Sequence, residues 1–165
     1  MAQAASTVTN KLHSILSLPS GMPAAVSVMA DLAGLQLPLF EGHQVITQNA
    51  APEIIERTNA NRYPTVHIYC SKVVNQLREK FRKFSGEVQM TVEVRISQDR
   101  LDGLENMVQI YADAVTRILD ENRGSWDGGV FYGGGYEVTY GPVKHGGRNF
   151  LQMAKIGFTT EFSTN

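Results

Sequence analysis

The sequence predicts an α+β domain with one mainly antiparallel sheet of about four strands, flanked by helices. Residues 87–96 alternate without a break between polar and apolar side chains, as a strand with one buried face does. Residues 101–119 then repeat their apolar side chains at three- and four-residue steps, which indicates an amphipathic helix. Residues 150–162 alternate again and predict a last strand. Because one-sided strands are typical of antiparallel sheets, we expect the helix to cover their apolar face. The apolar face of the first of these strands holds Val88, Met90, Val92, Val94 and Ile96.

The length and charge of the chain limit its class. A chain of 165 residues is long enough for one domain with a real core, which we expect to span residues 1–165. The net charge of −1 and the pI of about 6.4 give no general attraction to nucleic acid or to an anionic membrane. No apolar run approaches the roughly 20 residues that span a bilayer. Cys70 is the only cysteine, which excludes an intrachain disulfide and fits a reducing cytosol.

The N-terminal part begins with a predicted helix over residues 4–17, which carries a narrow apolar stripe. Residues 24–32 are a short apolar segment, either a strand or a buried helix, because periodicity does not separate the two. Residues 33–61 are predicted to be a long connection with a short strand near residues 44–47. A connection of this length inside a small domain is often functional or a partner-binding arm.

Residues 62–165 hold the predicted core sheet and helix. The early strand begins after residue 63 and places His67 on its polar face, as a surface residue. Residues 72–84 are either a short basic helix or the long end of a β-hairpin. Six of the 15 glycines fall in residues 124–135, which predicts a flexible glycine-rich loop before the last two strands.

Two stretches are candidate interfaces. The glycine-rich loop interleaves aromatic side chains with glycine, which suits a loop that becomes ordered against a partner. Residues 72–84 mix basic and aromatic side chains, but Glu79 and the near-neutral chain favour a solvated hairpin face over contact with nucleic acid. The candidate interface side chains are Trp126, Phe131, Tyr132, Tyr136, Arg78 and Arg82.

The sequence shows no motif for catalysis, for a cofactor or for a metal. The glycines of residues 124–135 follow a helix and precede a strand, whereas a phosphate-binding loop needs the reverse order. The four histidines lack the spacing of metal ligands. Cys70 lies on the apolar side of its predicted strand, as a small buried hydrophobe does. We therefore expect a protein that is not an enzyme, with no catalytic, cofactor-binding or metal-binding residues.

The order of elements and three stretches resemble the tail-terminator family of tailed bacteriophages, which are neck proteins that close the tail tube and join it to the head. The stretches cover a little under half of the chain and carry no catalytic signature; they are RYPTVHIYC at residues 62–70, the strand and helix of residues 86–119, and the closing strands of residues 135–163. The resemblance implies a structural protein that forms a homomeric ring, usually six-fold, on the last ring of the tube. The implied partners are other copies of the chain, the tail tube protein and a head-side connector protein. The resemblance also implies that genome DNA passes through the ring without specific binding, that no membrane is involved, and that the protein is made in the host cytoplasm and resides in the virion neck.

Other functions fit the same sequence pattern. A head-tail connector or a tail completion protein gives a similar pattern. A small α+β ligand-binding or regulatory module would hold a ligand in a pocket and form no ring. An enzyme assembled from scattered residues would show a pocket that joins His67 or His145 to a carboxylate.

Overall fold

The computed structural model of this chain describes residues 3–56 and 63–165. In the described residues the helices are α1 (Ala4–Ser17), α2 (Met22–Ala33), α3 (Pro52–Glu56) and α4 (Leu104–Glu121), with a 3-10 turn at Gly42–Gln44. The strands are β1 (Val45–Ile46), β2 (Thr65–Asn75), β3 (Phe84–Gln98), β4 (Gly124–Ser125), β5 (Val130–Tyr140), β6 (Lys144–Gly146) and β7 (Asn149–Thr164). The strands form one sheet in the order β1-β2-β3-β7-β5-β4, and β6 also pairs with β7.

The α+β class is confirmed, but the prediction of about four antiparallel strands is wrong. The described residues form a seven-stranded sheet, and this sheet is mixed because β1 runs parallel to β2. The four long strands β2, β3, β5 and β7 are the ones that alternation predicts. The three extra strands have only two or three residues each, which is too short for a period of two to be visible.

The core lies between one face of the sheet and the helices. All five predicted apolar residues of β3 are buried there, as are the inward residues of β7. Helix α1 contacts β2 and β3, α4 contacts β3 and β7, and α2 packs beside α4. The buried apolar residues form one contiguous cluster. Within the described residues, no single helix is long and apolar enough to cross a membrane; α1 and α2 pass that test only as a pair bent by 49°.

The N-terminal region contains more structure than its weak sequence signal indicates. Helix α1 confirms the prediction for residues 4–17, and α2 resolves residues 24–32 as a helix. The predicted connection of residues 33–61 contains the 3-10 turn, β1 and α3, and its residues 57–61 lie outside the described residues. The short strand expected near residues 44–47 is β1, which pairs with the start of β2.

The C-terminal region confirms one alternative and corrects one prediction. Residues 72–84 are the end of the β2–β3 hairpin, so the basic-helix alternative is wrong. The predicted flexible loop of residues 124–135 is largely paired strand, since β4 pairs with β5 and residues 130–132 pair with β7. Residues 133–135 form a bulge in β5, which is where glycine is best tolerated in a strand.

Candidate interface surfaces

Two of the aromatic interface candidates belong to the core. The side chains of Trp126 and Tyr132 are buried, and their ring centroids lie 5.5 Å apart. Both rings also contact Phe158, and the Trp126 Nε1–H donates a 2.7 Å hydrogen bond to the carbonyl of Asn122. This aromatic packing explains why the glycine-rich stretch forms strands despite its composition. The prediction that these two side chains form an interface is therefore wrong.

The other two aromatic candidates are on the surface of β5. Phe131 and Tyr136 are 49% and 38% exposed. The Tyr136 hydroxyl donates a 3.2 Å hydrogen bond to the carboxylate of Asp120 at the end of α4. Phe131 lines a shallow depression that also includes Arg78 of the hairpin. The exposure of these two side chains is compatible with an interface.

The two arginine candidates lie near the end of the hairpin and are paired within their own chain. The Arg78 guanidinium bonds the carboxylates of Glu87 and of Glu161, the latter at 3.2 Å. The Arg82 Nε lies 3.0 Å from a carboxylate oxygen of Glu79, and its guanidinium also donates to the side chain of Asn165. These carboxylates neutralise the arginines, so the hairpin does not present them freely to a phosphate backbone.

The hairpin tip, defined as residues 76–83, exposes two large apolar side chains. Phe81 is fully exposed, at 102%, and Leu77 is 62% exposed. Both have a positive φ, 71° and 48°, which is unfavourable for residues with a Cβ. Hydrogen bonds from the backbone N–H groups of Leu77 and Ser85 to the Asn75 side chain fix the base of the tip, at 3.2 and 3.1 Å. From the sequence, Phe81 is only one member of the basic and aromatic stretch of residues 72–84. The signal that could have identified it is a large apolar residue in the turn of a predicted hairpin.

A groove of mixed polar and apolar lining lies between α2 and the segment that follows it. Gly34, with φ 69°, ends α2, and the N–H of Leu35 bonds the carbonyl of Ala30 at 2.9 Å, so the chain turns back beside the helix. The enclosed space is about 350 Å³. The ring of Phe40 packs on Tyr111 of α4 at 6.0 Å and fixes one end of the segment. This α2 groove is lined by Pro23, Val26, Ser27, Ala30, Asp31 and residues 35–40.

The surroundings of the α2 groove expose two large apolar side chains and carry little charge. Leu32 and Leu39 are 74% and 78% exposed beside it. Asp31 is the only charged residue in residues 18–40. This surface is not predicted from the sequence. The available signal was a run of 23 residues with a single charge between two predicted elements.

The polar face of the sheet is buried at one end, contrary to prediction. His67, Glu93 and Arg95 are all buried, so His67 is not a surface residue. The Arg95 Nε donates a 2.7 Å hydrogen bond to Glu93, and Arg95 also donates to the carbonyl of Ala50. The carbonyl of Gln48 lies 3.2 Å from the His67 Nδ1. The segment between β1 and α3 therefore covers this end of the sheet, and a local alternation pattern contains no sign of it.

The environment of this polar cluster shifts two pKa values. Burial, followed by the positive charge of Arg95, lowers the pKa of His67 below its ordinary value of 6.5. Burial, followed by the charge of Glu93, raises the pKa of Tyr69, whose hydroxyl lies 3.3 Å from a Glu93 oxygen. Within the described residues, the His67 Nε2 and the Arg95 Nη1 are buried without a hydrogen-bond partner. An unpaired buried polar atom costs stability, so this face is held by the Glu93–Arg95 pair and by the contacts with the carbonyls of Gln48 and Ala50.

In the part of the chain that the structure describes, no three histidine, cysteine, aspartate or glutamate side chains lie close enough together to hold a metal ion. A pocket of about 150 Å³ is lined by both His145 and Glu53, which is the kind of pairing that the enzyme alternative requires. Both side chains are exposed, and no hydrogen bond or ion pair between described residues joins them. A general base needs such contact, or a substrate that supplies it, so the pocket alone carries no catalytic assignment.

No protein-family model matches this chain, and no curated protein is significantly similar to it in sequence. The class that the fold defines is an α+β protein with a mixed sheet and four helices in the described residues. The hairpin tip and the α2 groove are the surfaces of the described residues that bear most directly on its function.

Proposed function

We propose that this chain is a structural subunit of a tailed-bacteriophage neck, a tail terminator that closes the tail tube as a homomeric ring and joins the tail to the head. The observation that carries the proposal is the presence on one chain of two unlike surfaces with large exposed apolar side chains, the projecting hairpin tip and the concave α2 groove. A closed ring is built from heterologous interfaces, in which every subunit offers two unlike surfaces. A monomer needs neither surface, because exposed apolar groups gain nothing without a partner.

The three stretches that carry the family resemblance support the proposal. They correspond to the start of β2, to β3 with α4, and to β5 through β7. These elements are the long antiparallel strands and the helix that covers them. The resemblance therefore falls on the scaffold of the domain, and the two apolar surfaces lie largely outside it.

The electrostatics of the chain suit the proposed partners. The hairpin arginines are paired with carboxylates of their own chain, which fits a ring whose lumen passes DNA without binding it specifically. The tail tube protein would contact one side of the ring and the head-side connector protein the other. Within the described residues, the buried glutamate and arginine of the polar cluster bond each other, so the proposal assigns them a structural role.

Deletion of the gene in its phage tests the proposal, with the wild-type gene on a plasmid as the control. We expect full heads beside unjoined tails of abnormal length, and restoration of normal particles by the plasmid. Tails of normal length beside unjoined heads would contradict a terminator and favour a head-tail connector or a tail completion protein. Fully infectious particles from the deletion strain would refute a neck role.

The α2 groove also favours a second candidate, a small ligand-binding or regulatory module. Its volume of about 350 Å³ lies at the lower end of the range for small-molecule sites, roughly 300–1,000 Å³. Native mass spectrometry of the chain purified from its host would show a stoichiometric small ligand if this candidate is correct. A ligand-free mass together with a terminator phenotype would exclude it.

A further inference from the structure

We propose that the hairpin tip of one copy inserts into the α2 groove of the next copy, with Phe81 as the anchor. The inference deepens the proposed function, because it names the contact that would close the ring. The occupant of the groove is thus a second copy of this chain. Self-association can be measured without the phage, so the contact and the neck role can fail separately.

The conformation of the tip indicates a built interface element. Phe81 contributes no burial to its own chain, yet its backbone has a φ of 71° that glycine adopts more readily. Strained residues persist where the surrounding structure holds them, and they concentrate at functional sites. Hydrogen bonds from the backbone N–H groups of Leu77 and Glu79 to the side-chain oxygens of Asn75 and Ser85 hold the tip in place. An exposed aromatic on a fixed support loses little conformational entropy on binding, which favours it as an anchor.

The charges of the two surfaces are complementary. The tip, residues 76–83, contains four basic residues and one acidic residue. Two of the basic residues are paired in their own chain, while Lys80 lies directly beside Phe81 and has no ion pair among the described residues. The groove side has one charge, Asp31, which lines the groove itself. A tip seated in the groove brings Lys80 and Asp31 to the same interface, where opposite charges also fix the register.

Pairing through the sheet edges is the main competing route to a ring, and both edges are poorly suited to it. The outer edge of β5 is covered by β4 only at residues 131 and 132, and the bulge of residues 133–135 follows directly. At the opposite edge β1 covers β2 only at residues 66 and 67, and β2 carries its own irregularity between Cys70 and Lys72. Bulges bend and twist an edge away from regular pairing. The tip and the groove are therefore the better matched pair of surfaces.

Sedimentation of the purified full-length chain, up to about 1 mM, tests the contact. Phe81→Ser removes the anchor, and Ser27→Lys places a cation at an exposed position that lines the groove. We expect Phe81→Ser to weaken self-association by about 30-fold or more, as loss of a central aromatic does. The controls Leu101→Ser and Ala24→Lys introduce the same side chains at exposed positions that line neither surface and should leave association unchanged.

Mixing the two variants makes the test specific for a head-to-tail contact. The Ser27→Lys copy keeps an intact tip, and the Phe81→Ser copy keeps an intact groove. We expect the mixture to form a dimer through one intact contact and to grow no further, whereas either variant alone remains monomeric. Failure of the mixture to form dimers, or equal association of both variants and wild type, would overturn the inference.

Charge reversal and cross-linking test the same contact independently. Lys80→Glu should weaken association by about 1.5- to 5-fold, the range of an exposed ion pair, and adding Asp31→Lys should restore it. A photoreactive phenylalanine at position 81 should cross-link to residues 23–40 of an isotope-labelled second copy. Cross-links to another surface, or none between copies at about 1 mM, would overturn the inference. If the contact fails these tests but deletion of the gene still gives unjoined tails of abnormal length, the neck proposal stands without this contact. If the contact is confirmed but the deletion strain gives infectious particles, the contact stands and the neck role is refuted.

Discussion

The buried ion pair on the polar face of the sheet predicts an asymmetric response to mutation. Removing one member of a buried pair typically costs about 3–5 kcal/mol, because the other charge stays buried. In Arg95→Met, Glu93 keeps the Tyr69 hydroxyl at 3.3 Å and the Lys155 Nζ at 3.6 Å. In Glu93→Met, Arg95 keeps only the carbonyl of Ala50 among the described residues, and its Nη1 already has no partner there. We therefore expect a loss of about 3 kcal/mol for Arg95→Met and about 5 kcal/mol for Glu93→Met.

Urea unfolding followed by circular dichroism measures the free energy of unfolding of both variants. The comparison is valid if the slope of this free energy against urea concentration equals that of the wild type. Because replacing both charges removes the unpaired ion, the double variant Glu93→Met/Arg95→Met should be more stable than Glu93→Met alone. Lys155→Met is the control, and its half-exposed amine should matter by less than about 1 kcal/mol. If Arg95→Met costs as much as Glu93→Met, or if neither costs more than about 1 kcal/mol, the cluster is not buried as described.

Three further predictions concern other parts of the fold. Val92→Asp should abolish folding because it buries an unpaired charge, whereas Thr91→Asp on the opposite face should fold, as judged by soluble yield and circular dichroism. The pKa of His67 is below 6.5 in the folded chain, so the unfolded chain binds the proton first and stability should fall as the pH drops below about 6.5. Urea titrations at several pH values should show a smaller fall for His67→Gln, and an equal fall would contradict the role of this histidine. Gly129→Ala should cost at least about 1–2 kcal/mol, since φ is 83° and the new Cβ would lie 2.0 Å from the carbonyl oxygen of Ser163; an unchanged melting temperature would count against this geometry.

The parts of the fold that the sequence predicts are those whose signal is local. Alternation in β3 and β7 and the three-and-four spacing in α4 depend only on which face of each element is buried. The same rule fails for α2. Apolar side chains of residues 24–32 lie on both its buried and its exposed sides, so the sequence shows no clear helical period. It also fails for strands of two or three residues, which are set by their neighbours in the sheet.

The parts that the sequence does not predict depend on contacts between distant segments. His67, Glu93 and Arg95 alternate with apolar residues as solvent-facing side chains do, and they are buried because residues 48–50 cross over them. Trp126 and Tyr132 stand among glycines as loop residues do, and they are buried because Phe158 of β7 offers an aromatic surface. In both cases the deciding partner is far away in the chain, so no window around the residue contains the information.

Composition therefore does not separate core aromatics from exposed ones in this chain. An aromatic among glycines can serve the core or a partner, because both environments reward the burial of its ring. Phe81 is different, since it is fully exposed and its φ of 71° is unfavourable for a side chain with a Cβ. Replacement by glycine would relieve that strain without loss of any buried contact, so stability of the single chain does not explain the phenylalanine. Burial of the ring by a partner would explain it, and the α2 groove, which is lined by Asp31, is the surface that the inference pairs with the basic tip.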